Sequence, residues 1–144
     1  MIRTFTLAAA YERIITGTSP DEALAEFLDA FDRASNVEML SDALSDAPRL
    51  TGDARLDALA GAAADYLARR HRLLHIPPWA FESDRFLNSP WHTCPYSDHG
   101  MREYLTFASP GEFKSRNIFT DEQPLRPGGS HLFAALKTMR LARP

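Results

Sequence analysis

The chain has 144 residues, a formal net charge of −3 and a single cysteine. That length suits one domain with one sizeable core, and a 44% hydrophobic, 24% charged composition excludes general disorder. Cys94 alone cannot form an internal disulfide, and no apolar run approaches the roughly 20 residues of a membrane span. Glu12 and the turn chemistry of 17–20 stand where a secretory signal needs its apolar region, so the cytoplasm is the expected compartment. Charge is unevenly distributed. Residues 1–66 hold twelve acids and five bases, residues 67–144 seven acids and eleven bases, for net values of −7 and +4. Acids at helix starts and bases at helix ends account for much of that split.

In chain order, Leu7, Tyr11, Ile14 and Ile15 recur at helical spacing over 3–16, and Gly17 is placed to end that helix. Ser19-Pro20-Asp21-Glu22 reads as a capping box with Pro at the first helical position. The helix it opens carries Leu24, Phe27, Leu28 and Phe31 on one stripe, with Asp21, Glu22, Glu26, Asp29 and Asp32 largely outside it. Asn36 caps a short helix that Pro48 terminates, and Thr51-Gly52-Asp53 starts the longest one, to about residue 72. Leu56, Leu59, Ala60, Ala63 and Leu67 define its buried face, and its many alanines permit close packing. Arg69, Arg70 and Arg72 complement the dipole at its end, with phosphate contact as the secondary reading.

The segment 76–119 holds both tryptophans, Cys94, Pro77-Pro78-Trp79 and Pro90-Trp91. It predicts an ordered irregular stretch with the large rings as anchors. Phe86 and Leu87 are expected on one helical turn, 101–107 is open between helix and strand, and Ser109-Pro110-Gly111-Glu112 repeats the capping-box pattern. After a turn-rich 121–129, Leu132, Phe133, Leu136, Met139 and Leu141 mark a final helix over about 130–142. The expected fold is mainly α: one compact domain of about six helices with a Pro- and aromatic-rich irregular segment and no substantial sheet.

Three functional readings compete for the residues present. His71, His75, His92, Cys94 and His99 include an i, i+4 pair, but no CxxC or HExxH pattern frames a metal site, so no metal or cofactor is expected. Cys94 as a nucleophile would need a base such as His92 brought alongside it, and a metal- or thiol-dependent enzyme stays the third reading. The arginines Arg69, Arg70, Arg72, Arg116, Arg140 and Arg143 with Lys114 and Lys137 could serve a DNA-binding regulator. A net-acidic chain lacks the usual basic footprint, however, and this reading stands second. Partner binding has positive features. Trp91, Tyr96, Arg102, Lys114 and Arg116 are residue types found at interface hot spots. The acidic helix bearing Glu22, Glu26 and Asp29 offers charge complementarity to a cationic partner.

Phe27-Leu28-Asp29-Ala30-Phe31, Thr51-Gly52-Asp53-Ala54-Arg55-Leu56-Asp57-Ala58-Leu59, Ala64-Asp65-Tyr66-Leu67-Ala68-Arg69-Arg70, Pro78-Trp79, Arg85-Phe86-Leu87, Pro90-Trp91 and Ser109-Pro110 through Phe119 occur in that order. Together, over about 23–127, they resemble a group of small bacterial helical proteins and modules. Members of that group are often fused to helix-turn-helix regulators or encoded beside nucleotidyltransferase-type toxins. The resemblance implies an antitoxin-like protein-binding role without catalysis, with a co-encoded toxin as partner. Two departures stand out: no space for a DNA-binding domain before Ala23, and His92 where the group has an aromatic residue after the Trp.

Overall fold

The computed structural model of the chain describes residues 5–34, 36–94, 99–139 and 141. Among these are seven α-helices: α1 (Leu7–Ile15), α2 (Pro20–Asp32), α3 (Val37–Ser45), α4 (Ala54–Arg70), α5 (His99–Ala108), α6 (Gly111–Lys114) and α7 (His131–Thr138). Two 3-10 turns, Pro78–Phe81 and Ser83–Arg85, follow α4. The fold is mainly α, as expected. The count rises to seven because 101–107, open between helix and strand in the sequence, is helical.

Helix α4 is the axis of the molecule, and every residue from Leu56 to Ala68 is buried. A helix covered on all sides needs neighbours all round it: α3, α6 and both 3-10 turns pack against it. Its start is fixed by Asp53, whose carboxylate accepts from the amides of Arg55 (2.9 Å) and Leu56 (3.1 Å). Thr51 adds a second clamp, its amide and hydroxyl both donating to Asp57 Oδ1 at 2.8 Å. Side-chain caps at Thr6, Asn36 and Ser130 likewise start α1, α3 and α7.

Gly17, at φ 121°, ends α1. Bonds from Gly17 N to Ile14 O (3.1 Å) and Thr18 N to Arg13 O (2.9 Å) satisfy the last carbonyls there. α1 and α2 then pair, and α7 closes over α2.

Two capping boxes are corrected. Ser19 makes no side-chain cap, so Pro20 with its preset φ carries that helix start. Ser109 turns away from α6 into the interior: its Oγ accepts from Thr120 N at 2.8 Å, and its one proton is within reach of Leu105 O (2.5 Å) and Thr120 O (2.9 Å), joining the end of α5 to the next segment. Phe86 is extended rather than helical, with φ −129° and ψ 132°. The sheet is small. β1 (Trp91–His92) and β2 (Ile118–Phe119) pair in parallel, Trp91 against Ile118 and His92 against Phe119. Asn117, held at φ 65°, leads into β2 and donates from Nδ2 to Leu87 O at 2.8 Å.

Gly61 sits where the second half of the chain crosses α4. A Cβ there would lie 2.7 Å from Arg85 Cβ, 3.0 Å from Ala80 O and 3.1 Å from Arg116 Nε. Alanine ordinarily favours a helix interior over glycine by about 1 kcal/mol. Here Gly61→Ala is expected to reverse that sign and lower unfolding stability by about 1–3 kcal/mol, read by urea denaturation.

Tyr11 gives a second test. It is fully buried, and its hydroxyl donates to Leu56 O at 2.7 Å. Burial, with Asp57 nearby, pushes the phenol far above its ordinary value. The unfolded chain would ionise this group above pH 10 while the folded chain would not. Its contribution is therefore intact below pH 10 and declines above it, by up to about 1.4 kcal/mol per pH unit. Tyr11→Phe should remove that part of the alkaline slope.

Candidate interaction surface

The second half of the chain brings two arginines, Arg85 and Arg116, inward against α4. Each is 1–2% exposed. Arg116 Nη1 donates to Asp65 Oδ2 at 3.0 Å and to Glu112 O at 2.8 Å, and Nη2 donates to Ala80 O at 2.7 Å. Its guanidinium lies against Phe86 (4.7 Å to the ring centroid) and Phe81 (5.3 Å). Burial draws the Arg116 pKa below its usual value and Asp65 opposes that shift. The starting value is high enough that the cation persists.

Arg85 donates to Pro48 O at 2.6 Å and Asp57 O at 3.3 Å, with its guanidinium 4.9 Å from the Trp79 ring. Trp79 Nε1 in turn donates to Leu44 O at 3.0 Å. Two cations and a tryptophan thus bind three separate stretches of backbone onto one helix.

This arrangement corrects the expected contact surface. Arg116, expected at the contact surface, is interior, and its ion pair is made within the chain, to Asp65. Trp91 is 3% exposed, and the Arg55 guanidinium lies 5.2 Å from its ring, so the indole is also covered. Both residues are spent on packing. Tyr96 lies outside the described residues. Arg102 on α5 is exposed and Lys114 on α6 is half-buried.

Glu22, Glu26 and Asp29 do share the solvent side of α2, but Glu26 is bonded to Arg13, and Asp29 to Arg33 at 3.1 Å. Their net field is correspondingly weak.

Sequence reasoning missed the outer side of α5. Leu105 is that helix's buried anchor, while Tyr104 is 49% and Phe107 77% exposed. Residues three apart on a helix are neighbours on its surface. Two exposed aromatics side by side form a candidate contact patch, which a single exposed apolar side chain does not. The period-3 spacing of Tyr104 and Phe107 was available in the sequence, but only once the segment is known to be helical.

Of the His and Cys candidates, His71, His92 and Cys94 are taken up in packing, His75 is exposed, and the His99 side chain lies outside what the structure describes. The His71 ring meets Phe31 edge-on at 5.0 Å, His92 stacks on Phe119 at 5.0 Å, and Cys94 is buried. Burial, and secondarily the Arg102 cation, holds the His92 pKa below its ordinary value. Among the described residues no group of three or more His, Cys, Asp or Glu is disposed to hold a metal ion.

A groove of about 340 Å³ runs over Asp65, Arg69, Phe81 and Glu112. Both Asp65 oxygens are already occupied there, by Arg69 Nε at 2.7 Å and by Arg116. Among the described residues no helix is long and apolar enough to cross a membrane. Compared with known proteins, the chain matches no family model, no curated protein and no solved structure.

Asp65→Ala would leave the Arg116 cation buried without a counter-charge, and a loss of about 3–5 kcal/mol is expected in urea denaturation. The double replacement Asp65→Leu, Arg116→Met should recover part of that loss, the carbonyls of Ala80 and Glu112 remaining without their donor.

Proposed function

We propose that the chain is a non-catalytic protein-binding module that seats the outer side of α5 in an apolar groove of a partner protein. The observation that carries this reading is the exposed pair Tyr104 and Phe107, one helical turn apart on a helix with Leu105 as its buried anchor. Such spacing is the signature of helix-in-groove recognition. Exposed Arg102 and Glu103 supply polar flanks, as an interface rim requires. The engagement of His71, His92 and Cys94 in packing supports a role without bond-making.

For the partner we adopt what the family resemblance implies, a co-encoded nucleotidyltransferase-type toxin, so that the chain acts as an antitoxin by occlusion. The DNA-regulator reading gains nothing from the exposed acids of α2, which would repel phosphate.

Co-expression with the product of the adjacent gene tests both parts. Relief of growth arrest and co-purification are expected from the full chain. Phe107→Asp or Tyr104→Ala should weaken capture about tenfold or more while leaving the melting temperature unchanged. Growth arrest indifferent to the chain would end the antitoxin assignment. Undiminished capture by both variants, with loss of capture by Glu22→Lys, would move the contact from α5 to α2.

A further inference from the structure

A second cleft, of about 330 Å³, opens between α2, the last turns of α4 and the 121–129 loop. Its volume falls within the range of roughly 300–1,000 Å³ typical of small-molecule sites. Leu28, Leu67, Leu125 and Tyr66 give it an apolar floor, and the first, second and fourth of these are less than a tenth exposed. Arg70, Arg126, His71, Gln123 and Asp32 form the rim.

The two guanidiniums distinguish this cleft from the groove over Asp65, where both carboxylate oxygens are taken. Neither Arg70 nor Arg126 forms an ion pair among the described residues. Yet both are held in place. Arg70 Nε donates to the Tyr66 hydroxyl at 2.9 Å, and its guanidinium lies 5.0 Å from the Tyr66 ring. Arg126 folds back over its own loop, donating to Gln123 Oε1 at 3.4 Å and Gly129 O at 3.3 Å. The missing side chain at Gly129 makes the seat: a Cβ there would come within 2.9 Å of Arg126 Nε. Arg70, set by its Tyr66 bond, and Arg126, set more loosely by its two long bonds, are exposed forks without a counter-charge among the described residues, which suits them to a carboxylate or phosphate.

From this geometry we propose that the cleft binds a small aromatic oxyanion, its ring on the leucine floor and its carboxylate or phosphate on Arg70 and Arg126. The Asp32 carboxylate on the opposite rim opposes any anion and limits affinity. This site is independent of the α5 contact.

The test is an amide NMR titration of the labelled full chain with phenyl phosphate, benzoate, inorganic phosphate and phenol. Saturable shifts are expected at Leu67, Arg70, Leu125 and Arg126 with the first two probes, and the tighter of them identifies the oxyanion. Inorganic phosphate lacks the ring and phenol the charge, so each should bind at least about tenfold more weakly.

Arg70→Gln and Gly129→Ala should each weaken the preferred probe about tenfold at an unchanged melting temperature, because the first is exposed and the second displaces only the end of Arg126. Asp32→Asn should tighten it. Failure to saturate at millimolar probe, shifts scattered outside the cleft, or equal affinity for phosphate and phenyl phosphate would overturn the proposal.

Discussion

The Arg116–Asp65 ion pair, buried against the bare Cα of Gly61, is the constraint from which the rest of the molecule follows. Removing both charges from water carries a desolvation penalty that one ion pair does not offset alone. The fold answers it with two backbone carbonyls, of Ala80 and Glu112, and the faces of Phe81 and Phe86. Those partners come from the first 3-10 turn, from α6 and from the segment after the second turn. A single guanidinium therefore locates three separate pieces of the chain relative to α4. The Nε atoms of Arg85 and Arg116 are buried without acceptors, which marks how tightly the guanidiniums are enclosed.

This explains why residue types misdirected the search for a surface. Tryptophan, tyrosine and arginine are enriched at interface hot spots because they combine apolar area with directional polar groups. The same combination suits a chain with little regular structure between 71 and 94, where rings and guanidiniums must replace a helix face as packing material. Trp79 over Arg85 and Trp91 under Arg55 are both of this kind. Composition cannot tell the two uses apart, because the difference lies in whether carbonyls and small residues across the fold accept the cation. Gly61 was the one local sign, a glycine in the middle of an alanine-rich helix, and its partners are 19 to 55 residues away in sequence.

Features governed by neighbouring residues were legible. Asn36 caps the helix it was expected to cap, the longest helix starts at Thr51-Gly52-Asp53 as expected, and Gly17 supplies the left-handed residue that ends α1. Features decided across the fold were not. Ser109 has the same local motif as a capping serine, but Thr120 offers it buried partners and draws it inward. The helicity of α5 was ambiguous for a related reason: Met101, Tyr104, Leu105 and Ala108 recur at helical spacing, but Phe107 falls outside that stripe and of these five only Leu105 is buried. With Leu105 as the inward anchor, Tyr104 and Phe107 stay on the outer side of the helix.

The unequal charge of the two halves acquires a meaning from the same pairings. Asp65, from the acidic half, is held by Arg69 and Arg116, both from the basic half, so part of the asymmetry is neutralised across the core. On the surface, the pairs Glu12–Arg49, Glu26–Arg13 and Asp29–Arg33 cancel acids within the first half. Exposed pairs of this kind contribute little to stability, but each reduces the field available to a partner. A contact governed by the acidic helix would have to break them first. The α5 aromatics face no such competition, and the cations of Arg70 and Arg126 lack any carboxylate partner among the described residues. What the molecule's own charge balance leaves over is an aromatic pair on one helix and two guanidiniums at one cleft, and the proposed contacts are built on these groups.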